Sequence, residues 1–365
     1  MNLRIAAAVV AGVLASPSLA DAQGPNQGQP AERAEPAQGQ NGARANGPRR
    51  AQERARRLQD RARERRTARQ GASATAVVSR VVRLGRDGSL DLANVAGRVS
   101  VNGVAGDDVR IEATKRVWHE REEEARALLE SVNVVVSEGA GRVGVRTEYP
   151  RQQAYDAEVD YVVAVPQGTR VTLRVASGDI VVSNLKGELR AESVGGSVTA
   201  TSVGDVRLAR SVSGDVTVDG ATGTELVAST LSGAVTVRRA KARTIDLRSV
   251  GGALRLSESE ADRVSMQTLT GPVEYGGRIE RNGRYDLQSR SGRIVVAPTG
   301  DDGFDVEAAT MNGELRSDFP LTLREISPRG GRRGGRAGTM QGTVGGGGGL
   351  LTLRSFSGTI AIVRR

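Results

Sequence analysis

The sequence predicts an all-β solenoid: single-stacked coils of 18–21 residues, two short strands per coil, with one amphipathic helix near the N-terminal end. Three observations carry this. A glycine recurs at a nearly constant step through the second half of the chain. Aliphatic residues hold fixed offsets from it. The composition, with 47 Gly, no Cys and 2% aromatic residues among 365, suits tight turns and a core of small branched side chains rather than a bulky globular interior.

The period decides the fold. The glycines are Gly178, Gly196, Gly214, Gly233, Gly252, Gly271, Gly292 and Gly313, at steps of 18, 18, 19, 19, 19, 21 and 21, with a last copy at Gly358 after 45 residues. Two residues after them stand Ile180, Val198, Val216, Val235, Leu254, Val273, Ile294, Leu315 and Ile360; Val182, Val218, Val237 and Leu256 are among those four after. Side chains alternate along a strand, so these two columns share one inward face. A second strand precedes each turn, with Leu226 and Ala228, or Ile245 and Leu247, facing inward. One coil cannot bury its own apolar face; stacked coils about 4.8 Å apart bury it together. Glycine at the turn reads either as a special backbone conformation or as close approach of two backbones. Three residues before it comes a Ser/Thr column (Ser193, Ser211, Thr230, Ser249, Thr268, Ser289, Thr310, Ser355). It reads as a structural ladder satisfying turn backbone rather than a binding stripe.

The other segments follow in chain order. Residues 1–22 read as a signal peptide, with a positive start, the apolar run Ile5–Ala15, and Ala20 and Ala22 at a cleavage site. The expectation is an exported protein of the periplasm, cell surface or extracellular space, without disulfides and without a membrane span after processing. Residues 23–75 read as a disordered linker with 12 Arg against five acids, a net of +7 in a chain whose total is +10. Residues 76–170 read as an irregular β-rich lead-in with a helix over 115–131, whose Trp118, Ala125 and Leu129 form the apolar stripe. Residues 171–365 hold the repeats, interrupted over 319–349 by a Gly/Arg-rich insertion expected to be a loop before a closing coil at Leu351–Val363.

Candidate chemistry is sparse. The single His119 has no Cys or His companions, so metal binding is not expected. The Gly345–Gly349 run lacks the Lys and following helix of a phosphate loop. Asp179 and Asp215, one residue after their glycines, stand two coils apart, about 10 Å by strand spacing; each suits a turn position. No catalytic residue, cofactor or metal is assigned. The residues singled out for contact with an anionic surface are Arg49, Arg50, Arg54, Arg56, Arg57, Arg61, Arg63, Arg65 and Arg66 in the linker, and Arg332, Arg333 and Arg336 in the insertion. Nucleic acid is not expected, since the linker has no aromatic residue to stack a base.

The run Val159 to Pro166 (VDYVVAVP), followed by Val171 to Ile180 (VTLRVASGDI), resembles the adhesin-type β-strand-repeat family known as domain of unknown function 4097. So does the close, from Gly345 through Ile360. The likeness covers about residues 89–365. It implies an envelope-associated solenoid without established catalysis and supplies no functional residues. The reading that follows is a non-enzymatic, adhesin-like envelope or extracellular protein of unknown ligand: an acidic polysaccharide, an anionic lipid surface or a protein. Homo-oligomerisation through the open ends is left open. The alternatives are a periplasmic partner in envelope-stress signalling and, behind it, a polysaccharide-active β-helix enzyme.

Overall fold

The computed structural model describes residues 73–150, 157–300, 302–326 and 337–364. The signal peptide and all but the last three linker residues lie outside these. Two long sheets face each other across one core. Among the described residues one sheet has thirteen strands and the other fourteen. Each coil puts one strand in each sheet. Ile180–Ser183, Val198–Thr201, Val216–Asp219, Val235–Arg238, Leu254–Ser257 and Val273–Gly276 succeed one another in the first sheet. Glu188–Ser193, Asp205–Arg210, Thr222–Ser229, Lys241–Arg248 and Glu260–Thr268 do so in the second. The pairing is parallel and in register, so that Ile180, Val198, Val216, Val235, Leu254 and Val273 stack directly on one another. Every aliphatic residue named above as inward is buried except Leu315, near the end of the stack, which is partly buried. Each buried Val or Leu contributes about 1.5–3 kcal/mol.

The first coil comes earlier than the sequence suggests. Ser89–Ala96 and Val99–Val104 pair in parallel with Arg170–Ser177 and Ile180–Ser183, with Gly97 at the turn. The lead-in therefore supplies solenoid coils rather than a separate irregular region. Two strands from later in the sequence lie outside this first coil: Arg142–Glu148 beside Ser89–Ala96, and Ala157–Pro166 beside Val99–Val104. Antiparallel strands close that end. Asn133–Gly139 covers the second sheet, and Asp108–Trp118 then Ser73–Arg83 cover the first. The outermost strand thus begins at Ser73, inside the segment expected to be linker.

The helix, α1, is Glu122–Ser131, not 115–131. Residues 115–118 complete the strand Asp108–Trp118, because the register Lys115↔Val159 and Val117↔Ala157 continues through them. Trp118 is therefore a strand residue. The helix buries Ala125 and Leu128, while Leu129 is only partly covered. The Lys115 ammonium donates to the Leu129 and Val132 carbonyls at 2.9 and 3.1 Å, satisfying the helix C-terminus. His119 sits just before the helix, its Nε2 3.1 Å from Glu124.

The other end is permuted in the same manner. The expected closing coil, Gly349–Ser355 and Ile360–Ile362, is not last in space. It lies between the coil Arg284–Ser289/Ile294–Val296 and the coil Phe304–Thr310/Leu315–Ser317. The insertion is not simply a loop. Thr322–Ile326 and Ala337–Val344 form antiparallel strands that extend the second sheet beyond Phe304–Thr310. Gly345, Gly346 and Gly347, all at positive φ (60°, 85° and 80°), turn the chain back so that its last coil enters the stack. That backbone, rather than an anion, accounts for the glycine run.

Candidate interaction surface

The arginines proposed from sequence, in the linker and in residues 332–336, lie outside the described residues. The turn glycines are all described, and their reason is now specific. They stack in the order Gly97, Gly178, Gly196, Gly214, Gly233, Gly252, Gly271, Gly292, Gly358, Gly313. A side-chain carbon on Gly252 would collide with the Gly233 carbonyl, and one on Gly271 with that of Gly252. Close approach excludes side chains along the whole column, and at Gly97 and Gly178 a positive φ adds to it.

The Ser/Thr column is spent on the same backbone. Seven hydroxyls, from Ser193 to Thr310, donate to the glycine carbonyl of the neighbouring coil at 2.8–3.2 Å. Seven accept the amide of their own turn glycine at 2.8–3.3 Å. The column is only 2–8% exposed. In the first coil Asn94 occupies this place, its Nδ2 donating to the Ala96 and Val159 carbonyls.

Asp179 and Asp215 are likewise occupied. Asp179 Oδ1 accepts the Ser197 amide at 2.9 Å, and Asp215 Oδ1 the Ala234 amide at 2.8 Å; Asp179 also pairs with Arg98. Each caps the next coil, as a turn aspartate does.

Sequence reasoning missed the column two residues before the glycine. In spatial order it reads Val95, Ala176, Val194, Val212, Leu231, Val250, Leu269, Arg290, Phe356 and Met311. The buried Ser/Thr residue comes just before, so strand alternation turns this position outward. Seven of its large apolar side chains are 42–55% exposed. The backbone holds them in line: the amides of Leu231, Val250 and Leu269 each donate to the carbonyl of the preceding member at 3.2 Å. The signal was available as a ninefold apolar column at a position where alternation demands polar residues.

Four residues before the glycine stands a polar column that includes Arg174, Arg210, Arg248 and Arg354, with Glu192 as its acid. Arg174 reaches Asp91 at 3.4 Å and Arg248 reaches Asp246 at 2.7 Å. Arg290 lies over the Phe356 ring, 5.8 Å from its centroid. Two shallow grooves run between the columns. One, of about 620 Å³, is lined by Val250, Leu269, Met311 and Phe356 together with Arg248, Arg290 and Arg354. The other, of about 440 Å³, is lined by Ala176, Val194 and Val212 with Arg174 and Arg210. A further cleft of about 500 Å³ lies on the outer face of the first sheet, where Arg238, Arg255, Arg293 and Arg316 surround Gly276, Ala297 and Ala361. Arg255 there is held by Glu274 at 3.0 Å.

With the stacked two-strand coils in view, the comparison with known families is direct. Residues 157–330 match the family described as Toastrack DUF4097. The chain carries a Toastrack domain. In this structure the coils of that domain continue on both sides of the matched stretch, through Ser89–Val104 and through Gly349–Ile362. No curated protein matches the chain. Among solved structures, a candidate cell adhesion protein from Clostridium sporogenes is 7% identical; the match covers 80% of this chain and all of that one, with a TM-score of 0.22. A candidate adhesin from Bacteroides fragilis is 13% identical, covering 79% and 97%, TM-score 0.38. A candidate lipid-binding protein from Parabacteroides distasonis is 9% identical, covering 79% and 96%, TM-score 0.37.

Proposed function

We propose that this Toastrack protein is an exported, adhesin-like interaction scaffold of the cell envelope and works without catalysing a reaction. One observation carries the reading. The groups that recur from coil to coil are committed to building the stack, and what recurs on its surface is an array, not a constellation. The Ser/Thr hydroxyls and the two turn aspartates, which a hydrolytic reading would need free, are bonded to backbone. An array repeated once per coil suits an extended partner, and the membership in an adhesin-type family agrees with it. The arginine-rich linker would add electrostatic attraction to acidic envelope material.

The test uses the mature chain, with and without residues 23–72, incubated with envelope fractions of its native host and with a glycan panel. The expected result is retention on the envelope fraction, weakened by salt in the version that keeps the linker, and no new reducing ends or unsaturated products. Release of such products, or no retention by either version, overturns the reading.

A further inference from the structure

We infer that the apolar row beside the turn glycines, with its flanking arginines, is a docking stripe for an anionic lipid bilayer. The inference deepens the scaffold reading and rests on it for the setting.

The argument begins with exposure. Isolated apolar side chains on a surface need no explanation, but a contiguous exposed series marks an interaction face. Here the series advances one residue per coil, about 4.8 Å apart, and its central members Val212, Leu231, Val250 and Leu269 are tied backbone to backbone. Presenting it to a partner therefore costs no ordering of the chain. The aliphatic members carry no hydrogen-bonding group, so a sugar polymer finds nothing to pair with along the row itself.

Charge selects the partner. On one side stand Arg174, Arg210, Arg248 and Arg354, and Arg290 falls within the row; Glu192 is the acid among them. The residue between the row and the glycine is uncharged in every coil, for example Ser213, Ser232 and Thr270. Among the described residues no carboxylate pairs with Arg210, Arg290 or Arg354. A second copy of the same stripe would bring arginine against arginine. An anionic bilayer offers what the stripe lacks: an apolar boundary for Leu231, Val250, Leu269 and Phe356, and phosphates within reach of the guanidinium forks.

The experiment is vesicle sedimentation of the mature chain and of the version without residues 23–72 at about 0.1 M salt, where the stripe's exposed arginines still act and the shortened version reads them without the linker. Vesicles are phosphatidylcholine alone or with 30% phosphatidylglycerol. The triple variant Leu231→Ser/Val250→Ser/Leu269→Ser is expected to bind the anionic vesicles at least tenfold more weakly than the wild type. Arg210→Gln/Arg248→Gln/Arg354→Gln is expected to abolish the preference for phosphatidylglycerol. Should the triple variant fail to fold, the single variant Leu231→Trp keeps the test. Its indole fluorescence should be quenched by lipids brominated high on the acyl chain, against the constant background of Trp118. Unchanged vesicle binding by the triple variant, or no quenching at position 231 in bound protein, overturns the inference. So does a triple serine variant whose only change from the wild type is a shift from dimer to monomer. Failure here with intact retention on envelope fractions leaves the scaffold reading standing; loss of both removes it.

Discussion

Each coil has two corners, and they obey different rules. At the glycine corner the last inward residue of one strand and the first of the next are always five positions apart, from Asn94 and Val99 to Ser355 and Ile360. At the opposite corner the spacing is free. Two residues, Glu258 and Ser259, join Leu254–Ser257 to Glu260–Thr268, while seven join Val273–Gly276 to Arg284–Ser289. Both large excursions of the chain leave from that side: residues 105–169 after Val99–Val104, and residues 318–348 after Leu315–Ser317. The backbone there turns through positive φ at Asn184, Ser202, Gly220, Arg239 and Glu258. Four of those five keep a side chain; backbones approach closely at this corner too, but at other positions and in some coils only, as at Gly103, Gly187 and Gly204. A side-chain carbon on Gly220 would stand 3.7 Å from Ser202, an ordinary contact. The lesson is that one corner holds the coils together and the other lets the chain vary. Backbone contact is intolerant of volume; a strained but open turn is not.

The largest expected effect comes from lengthening each corner. A two-residue Gly-Ser insertion between Gly252 and Ala253 should abolish the cooperative urea transition. The same insertion after Glu258 should cost about 1 kcal/mol or less, as modest loop lengthening does. Equal effects at both sites would end the distinction. Next, Gly252→Ala must push two backbones apart and should cost about 3 kcal/mol or more, read from chemical unfolding. A cost below ~1 kcal/mol would mean that close approach is not what the column conserves within this chain. Ser211→Ala leaves the Gly214 amide and the Gly196 carbonyl unpaired and should cost about 1–3 kcal/mol. Ser211→Thr should be close to neutral, since Thr230 and Thr268 already do this work.

A pH experiment probes the opposite corner where it bulges. There Tyr275 donates to the Arg278 carbonyl at 2.6 Å, and Tyr285 donates to the Ala261 carbonyl at 2.8 Å while accepting the Glu280 amide at 2.7 Å. The rings meet edge to face at 5.5 Å. Burial pushes both phenols above their ordinary value. The folded state then holds protons that the unfolded state gives up above about pH 10, so stability is full below that pH and falls above it, by at most ~1.4 kcal/mol per pH unit per tyrosine. Tyr275→Phe should flatten this alkaline slope, measured by urea unfolding between pH 9 and pH 11; an unchanged slope would place the titration elsewhere. The smallest effect is Gly220→Asn, expected within about 0.5 kcal/mol, since Asn184 already occupies the equivalent place with positive φ.

How far the sequence alone reached follows from what is local. The period, the two strands per coil and the inward columns were legible because each coil repeats the same alternation, and an error in one copy is corrected by the next. The helix was placed seven residues early because Lys115, Arg116, Val117 and Trp118 suit either structure by composition, and only the pairing with Ala157–Val159 makes them strand. The apolar row beside the glycines was in plain view as a column, yet its meaning depends on knowing that the neighbouring Ser/Thr residues turn inward. Without that burial, an apolar column next to a turn reads as more core.

Taken by itself, the sequence determined the solenoid and its step, since strand alternation and turn chemistry act within some twenty residues. The tertiary structure alone decided the order of coils at the two ends, where Ala157–Pro166 lies outside Val99–Val104 and Ile360–Ile362 enters between Ile294–Val296 and Leu315–Ser317. Such pairings join residues far apart in the chain, and nothing local distinguishes one aliphatic strand from another as the neighbour. It also decided why glycine is needed at each turn and which residues face outward beside it, because both are consequences of how closely one coil lies on the next.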